Sequence, residues 1–302
     1  MRNNKVFVLG ASNVDIIGFP DEKLIMQDAN IGKMKISAGG VGRNIAHNLK
    51  LLGFDVQLAS IFGSDPLSHF LIDNCSENRL DITNSLVVND ATASSFIAVM
   101  NENNDLSVGI SAMAIYNEKN EKKLIENLPN KVDTDYFVLE TNFTEKTLQK
   151  IITKYPDKKY IIDTVSGVKS LRIKSILSNI YILKTNLLEA EMISNIKVDK
   201  DEDLSELVKF FINKGVKKIF ITLGEKGVVY GDKNRIEFQK SIKTKVVNTI
   251  GAGDSFVAGL VYGESKDLDI DQMANFGMKA ASITVKCKNA VNPDLSENLL
   301  LS

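Results

Sequence analysis

Asn248-Thr249-Ile250-Gly251-Ala252-Gly253-Asp254-Ser255-Phe256, near the end of a 302-residue chain, is the stretch from which fold and chemistry read outward. The run Thr244 to Val247 before it is strand-like, and Phe256, Val257 and Leu260 after it repeat with a helical period. The order is therefore strand, glycine turn, helix. Small residues let the backbone approach a ligand closely, and the first N–H groups of a helix have no intrahelical partner. An anion is the natural occupant of such a place. A carboxylate beside it, Asp254, makes chemical sense if it takes a proton from a hydroxyl that then attacks the anion. Phosphoryl transfer to an alcohol is the reaction this spacing predicts.

Composition narrows the partners. With 44% hydrophobic residues the chain can bury a large α/β core, and no repeat, linker or low-complexity tract divides residues 1–302, so a single domain is expected. Lys+Arg 37 against Asp+Glu 38 gives a net charge of -1, without the basic excess that nucleic-acid binding favours. A small molecule fits better. Cys75 and Cys287 are isolated, which implies neither a disulfide framework nor a zinc site, and no run of eighteen apolar residues occurs. A soluble, cytoplasmic protein with no membrane partner is expected. His47 and His69 have no neighbours at metal spacing and read as structural.

Earlier in the chain, Gly39-Gly40-Val41-Gly42-Arg43-Asn44 opens a second helix, with Ile45, Ala46, Leu49 and Leu52 as its apolar face and Gly53 at its end. The spacing is neither G-x-G-x-x-G nor G-x-x-x-x-G-K-[ST], so the dinucleotide fingerprint and the P-loop both fail. Arg43 in this cradle is expected to meet phosphate. Polar residues close several short apolar strands: Asn13 and Asp15 after Val6–Leu9, Glu140 after Tyr136–Leu139, and Asp163 after Tyr160–Ile162. In open α/β sheets such strand ends line the ligand crevice. Asn186 and Glu189, three apart at a helix start, read equally well as a capping box. Leu80 to Val88 reads as a strand. Residues 92–100 and 106–108 read as a hairpin across a polar turn, which with 14–37 forms a small β appendage.

Two of these segments carry a family resemblance. Gly39 to Ala46, with Gly53 and Gly63 beyond, resembles the N-terminal signature of the ribokinase-like, phosphofructokinase-B type sugar kinases, and Asn248 to Leu260 resembles their C-terminal signature. The resemblance covers essentially the whole chain. It implies a three-layer α/β/α fold with a mainly parallel central sheet and a small β-sheet lid, formed by about 13–38 and 91–111. It implies Asp254 as catalytic base and Gly251, Ala252 and Gly253 as anion hole. Asn13, Asp15, Gly39, Gly40, Arg43, Asn44 and Glu140 would serve the sugar, with Asn186, Thr222, Gly224, Gly227 and Asn275 on the nucleotide. Glu189 would hold Mg2+ through water. ATP is the implied donor, a monovalent cation such as K+ near Asn248 and Ile250 a further implied ligand, and a homodimer through the lid the implied assembly. Gly39 to Ala46 and Asn292 to Ser296 are most similar to the family's pseudouridine kinases, with ribose, another nucleoside or another sugar as alternative acceptors. A non-catalytic nucleoside-binding regulator is the alternative from another class. Thr164 stands where the family usually has proline after Asp163, which should soften that loop.

Overall fold

Alternation along the short strands decides the layering. In Lys5–Leu9, Val6 and Val8 enter one apolar cluster while Phe7 and Leu9 enter another; Val138 against Phe137 and Leu139, and Ile161 against Tyr160 and Ile162, divide the same way. Strands buried on both faces need helices on both sides.

The computed structural model describes residues 4–103 and 105–302; Met1–Asn3, and Asn104 in the expected polar turn, lie outside them. In chain order the elements are β1 (Lys5–Leu9), β2 (Asn13–Pro20), β3 (Gly32–Gly39), α1 (Val41–Leu51), β4 (Asp55–Ala59), β5 (Ile61–Phe62), α2 (Pro66–Glu77), β6 (Leu86–Val87), β7 (Ser95–Met100) and β8 (Leu106–Ala112). They continue with α3 (Glu118–Asn127), β9 (Tyr136–Glu140), α4 (Glu145–Lys154), β10 (Lys159–Asp163), α5 (Gly167–Ser170), a 3-10 stretch (Leu171–Asn179), β11 (Ile180–Asn186), α6 (Leu187–Ser194) and α7 (Asp201–Asn213). The last are β12 (Lys218–Thr222), β13 (Gly227–Asp232), β14 (Ile236–Lys240), α8 (Ala252–Ser265), α9 (Ile270–Thr284) and α10 (Glu297–Leu301).

The central sheet runs β14-β13-β12-β11-β10-β9-β1-β4. It is parallel from β4 to β12 and antiparallel at the β12–β13 and β13–β14 pairs. Residues of α1, α8 and α9 pack on one face and residues of α3, α4, α6 and α7 on the other. The register places Glu140 opposite Asp163 and Asp163 opposite Lys184, with Asn186 opposite Thr222. One polar row therefore crosses the carboxyl edge of the parallel strands. A second sheet, β3-β2-β7-β8, stands apart from the first and matches the expected β appendage.

Two expected strands do not form as read. Thr244–Val247 is irregular, and the N–H groups of Val247 and Asn248 both donate to the Val285 carbonyl, at 2.7 and 3.2 Å. Lysines alternate with valines there, but β14 has already ended at Lys240, so the run has no strand to pair with. Of Leu80–Val88 only Leu86–Val87 is a strand, because the Asp81 carboxylate accepts from both the N–H and the hydroxyl of Thr83 and turns the chain first.

Candidate active site

The C-terminal glycine turn is built as a helix entry. Gly251 takes the left-handed conformation, φ 81°, at the N-cap of α8, and a Cβ there would lie 1.8 Å from the Ala290 carbonyl oxygen. Only glycine fits. The Ala252 N–H is directed at the Thr249 carbonyl, at 3.3 Å, so it is engaged within the turn rather than aimed outward. A Cβ on Gly253 would instead meet the Lys184 ammonium, 2.6 Å away. A buried cation thus faces the first turn of α8.

Asp254, one residue further, is buried. Burial, with the Asp163 charge, pushes its carboxyl up to about 7, against the opposing effects of a hydrogen bond from Asn44 and of the Lys184 and Arg43 charges. A carboxylate titrating there is matched to general-base work near neutrality. Lys184, 8% exposed, pairs with Asp163 at 3.0 Å. It was missed in the sequence, although a lysine within strand β11, directly after the apolar run Ile180–Leu183, was the available signal: a charge so placed is seldom buried without a partner or a task.

The glycines of the N-terminal cradle pack closely on their neighbours. Gly40 has φ 95°, and a Cβ on Gly42 would lie 2.3 Å from the Gly10 Cα. A Cβ on Gly39 would collide with the Asp15 carboxylate at 2.3 Å, and Asp15 in turn accepts from Asn13 Nδ2 at 2.5 Å. Burial raises the Asp15 carboxyl above the usual carboxylate range. Asn44 Nδ2 donates to Asp254 Oδ2 at 2.8 Å across 210 residues of sequence. Asn13, Asp15, Gly39, Gly40, Asn44 and Asp254 are therefore one continuous constellation.

Two expected residues behave differently. Arg43, 3% exposed, donates to the Gly39 and Ala38 carbonyls at 3.1 and 2.9 Å, to Asn74 Oδ1 at 2.9 Å and to Asn44 Oδ1. Its guanidinium is engaged inside the protein, which corrects the expected phosphate contact. Glu140 is wholly buried: its two oxygens accept from the Ala11 and Asn142 N–H groups, both at 2.6 Å, and burial pushes it up to about 7. It fixes the loop that carries the cradle rather than opening onto it.

Asn186, Thr222 and Gly224 line a cavity of about 1130 Å³, together with Leu187, Lys226 and Lys240. Gly227 and Asn275 are not brought to its wall. A Cβ on Gly227 would meet the Gln239 carbonyl at 2.0 Å, and Asn275 accepts from Gln239 Nε2 at 3.3 Å. Lys184, whose ammonium faces Gly253 at the α8 entry, lies two residues before Asn186 on β11. Asn186 and Glu189 do form the capping box that the spacing allowed. Glu189 also accepts from Thr185 Oγ1 at 3.3 Å and from Thr164 Oγ1. With its one proton given to Glu189, the Thr164 hydroxyl can accept from Thr185 Oγ1, 2.9 Å away, and the Thr164 carbonyl accepts from Thr141 at 2.6 Å, so this residue ties the loop down instead of softening it. Among the described residues no group of three or more His, Cys, Asp or Glu could cage a metal. A single buried carboxylate held this way suits a hydrated magnesium that takes its other ligands from phosphates.

Residues 3–298 match the model of the pfkB family carbohydrate kinases. The pseudouridine kinase of Escherichia coli (strain K12) is 31% identical over 292 residues, 96% of this chain and 93% of that one. The ribokinase of Staphylococcus aureus (strain COL) is 28% identical, covering 94% of each chain. The structure of Arabidopsis thaliana ribokinase complexed with ribose and ATP superposes with a TM-score of 0.83 over 100% of this chain and 98% of that one at 19% identity, a likeness of fold. Among the described residues no helix is long and apolar enough to cross a membrane. A polar sheet edge with a glycine-capped helix entry and a buried carboxylate suits a sugar or nucleoside kinase, and the chain belongs to the pfkB family of carbohydrate kinases.

Proposed function

We propose that this kinase transfers the γ-phosphate of ATP to the 5′-hydroxyl of pseudouridine, giving pseudouridine 5′-phosphate and ADP. The observation that carries the chemistry is the Asn44–Asp254 bond, which joins the cradle for the alcohol to the helix entry for the phosphate. The choice of acceptor is supported by the relative at 31% identity and by the similarity of Gly39–Ala46 to pseudouridine kinases.

Asn13, Asp15, Asn44 and the Gly39–Gly40 backbone hold the ribose so that its 5′-oxygen lies beside Asp254. The hydroxyl oxygen attacks the γ-phosphorus in line, its proton passes to Asp254, and the bond from that phosphorus to the ADP oxygen breaks. The Gly251 and Gly253 N–H groups and the Lys184 ammonium meet the charge that spreads over the transferring group. Asn186, Thr222 and Gly224 hold the nucleotide in their cavity. Bound magnesium would neutralise phosphate charge, with Glu189 orienting its waters. A monovalent cation is proposed at the Asn248 and Ile250 carbonyl oxygens, in the turn that Asn248 closes by accepting from the Ile250 N–H at 3.0 Å. The second sheet acts as a lid that excludes water from the phosphate. Lys35 on β3 already reaches across to the Lys288 carbonyl and Asn289 Oδ1, both at 3.0 Å. Leu106, Val108 and Ile110, exposed on one face of edge strand β8, support a homodimer through the lid.

An acceptor panel under one ADP-release assay tests the reading. Pseudouridine should give the highest kcat/KM, with phosphate on the 5′-oxygen by NMR. A higher value for ribose, uridine or fructose would transfer the assignment to that acceptor, and ADP release independent of any acceptor would overturn it.

A further inference from the structure

The guanidinium of Arg43 lies on the side of Asn44 away from the base, and this order has a consequence for the reaction. A primary amide presents an oxygen that only accepts and a nitrogen that only donates, and a half-turn exchanges them. On one side of the Asn44 amide stands Arg43, which has donors and no acceptor, and which gives a hydrogen bond to Asn44 Oδ1. On the other side stands Asp254, which takes a hydrogen bond from Asn44 Nδ2 at 2.8 Å. Arg43 cannot swing away, because the Ala38 and Gly39 carbonyls and Asn74 hold its remaining donors at 2.9, 3.1 and 2.9 Å.

Resting on the reading of Asp254 as base, we propose that Arg43 is a positioning residue which acts through Asn44: it locks that amide with its nitrogen toward Asp254, so that the base meets a permanent donor and is held in the form that can accept a proton. Were the amide free to turn, a protonated Asp254 could donate to its oxygen, and the protonated state would gain a hydrogen bond that the lock denies it. The lock works against burial, which is the main cause of the raised Asp254 titration. The other charges facing Asp254 are Asp163 from β10, which favours protonation, and Lys184 from β11, which opposes it. Around Arg43 itself stand Asp15 from β2, Cys75 from α2, whose thiol burial pushes up to about 11 and so keeps neutral, and His47 one turn on along α1, which burial and the Arg43 charge push down to about 4.

The test is the pH dependence of kcat/KM together with a carbon-13 NMR titration of the Asp254 carboxyl in the free enzyme, so that one readout needs no turnover. A hydrogen bond to a charged group outweighs the free energy of one pKa unit. In Arg43→Met and in Arg43→Gln, whose own amide can turn, the acid limb and the NMR midpoint should both move up by about one pH unit. Arg43→Lys, again a donor without an acceptor, should restore both toward wild type. Asn44→Ala should give a similar upward shift, and Arg43→Gln added to Asn44→Ala should add only the loss of the Arg43 charge, a smaller shift than Arg43→Gln gives alone. If Arg43→Met does not fold, Arg43→Gln and Arg43→Lys carry the comparison. Folded Arg43→Gln with an unmoved midpoint, or an additive double variant, overturns the lock. An active Asp254→Asn variant would sink the base assignment instead, which separates the two failures.

Discussion

Each glycine-lined helix entry of the site faces one buried cation, and the two cations are used in opposite ways. At α1, Arg43 gives its fork of donors to carbonyls and amides of the protein's own cradle. At α8, Lys184 pairs with Asp163 and stands against Gly253, where a phosphate would arrive. A rigid, many-donor guanidinium suits holding several chain segments in one geometry, whereas an ammonium is a point charge on a flexible stem. Two glycine clusters with similar sequence texture thus do different work: one closes the chain on itself, the other leaves a helix start open to an anion.

Lys184→Met should have the largest combined effect. It leaves the Asp163 carboxylate buried without its partner, at a cost of about 3 kcal/mol at pH 8, and removes a charge from the transferring phosphate, lowering kcat by ~10²-fold. Denaturant melts and steady-state rates on one preparation check both; a full loss of stability with unchanged kcat would confine Lys184 to a structural role.

The glycines offer the sharper contrast. Gly42→Ala places a Cβ against the Gly10 Cα, which is backbone and cannot yield, so it should cost ~1–3 kcal/mol. Gly253→Ala meets only the end of the Lys184 side chain and improves helix propensity by about 1 kcal/mol, so the fold should be as stable or more so while kcat falls by ~10²-fold as the ammonium is displaced. The reverse pattern would break the distinction between a closed and an open entry.

The smallest expected effect is on stability against pH. The Asp254 carboxyl is raised in the folded state from 3.8 to about 7, so the native protein loses stability as pH rises through that window. Asp254→Asn should melt a few degrees above wild type at pH 8, and the gap should close toward pH 4. An equal gap at both values would mean that burial of the charge is not its cause.

Much of this was legible in the sequence because it rests on local rules. Short, unbroken apolar runs ending in Glu140 and Asp163 announced buried strands and their polar edge, and the two glycine entries announced both halves of the candidate site. Thr244–Val247 was misread because strand formation needs a neighbour, and the end of β14 at Lys240 withholds one. Lys184 was missed because its meaning lies in the register that sets it beside Asp163, which no spacing along the chain displays. Arg43 was misassigned for a related reason. Its place in the cradle is evident, but that its donors are engaged by Ala38, Gly39, Asn44 and Asn74 depends on how β3 and α2 pack. Thr164 reads as the loss of a stiff proline until its bonds to Thr185 and Glu189 are seen.

The central claim is that Asp254 accepts the proton of the attacking hydroxyl. Single-turnover transfer of labelled γ-phosphate to pseudouridine at pH 8, with ATP saturating, compares wild type with Asp254→Asn directly. The account expects the variant to bind ATP as before and to transfer phosphate ~10²–10⁴-fold more slowly. A variant rate within a few-fold of wild type would contradict it.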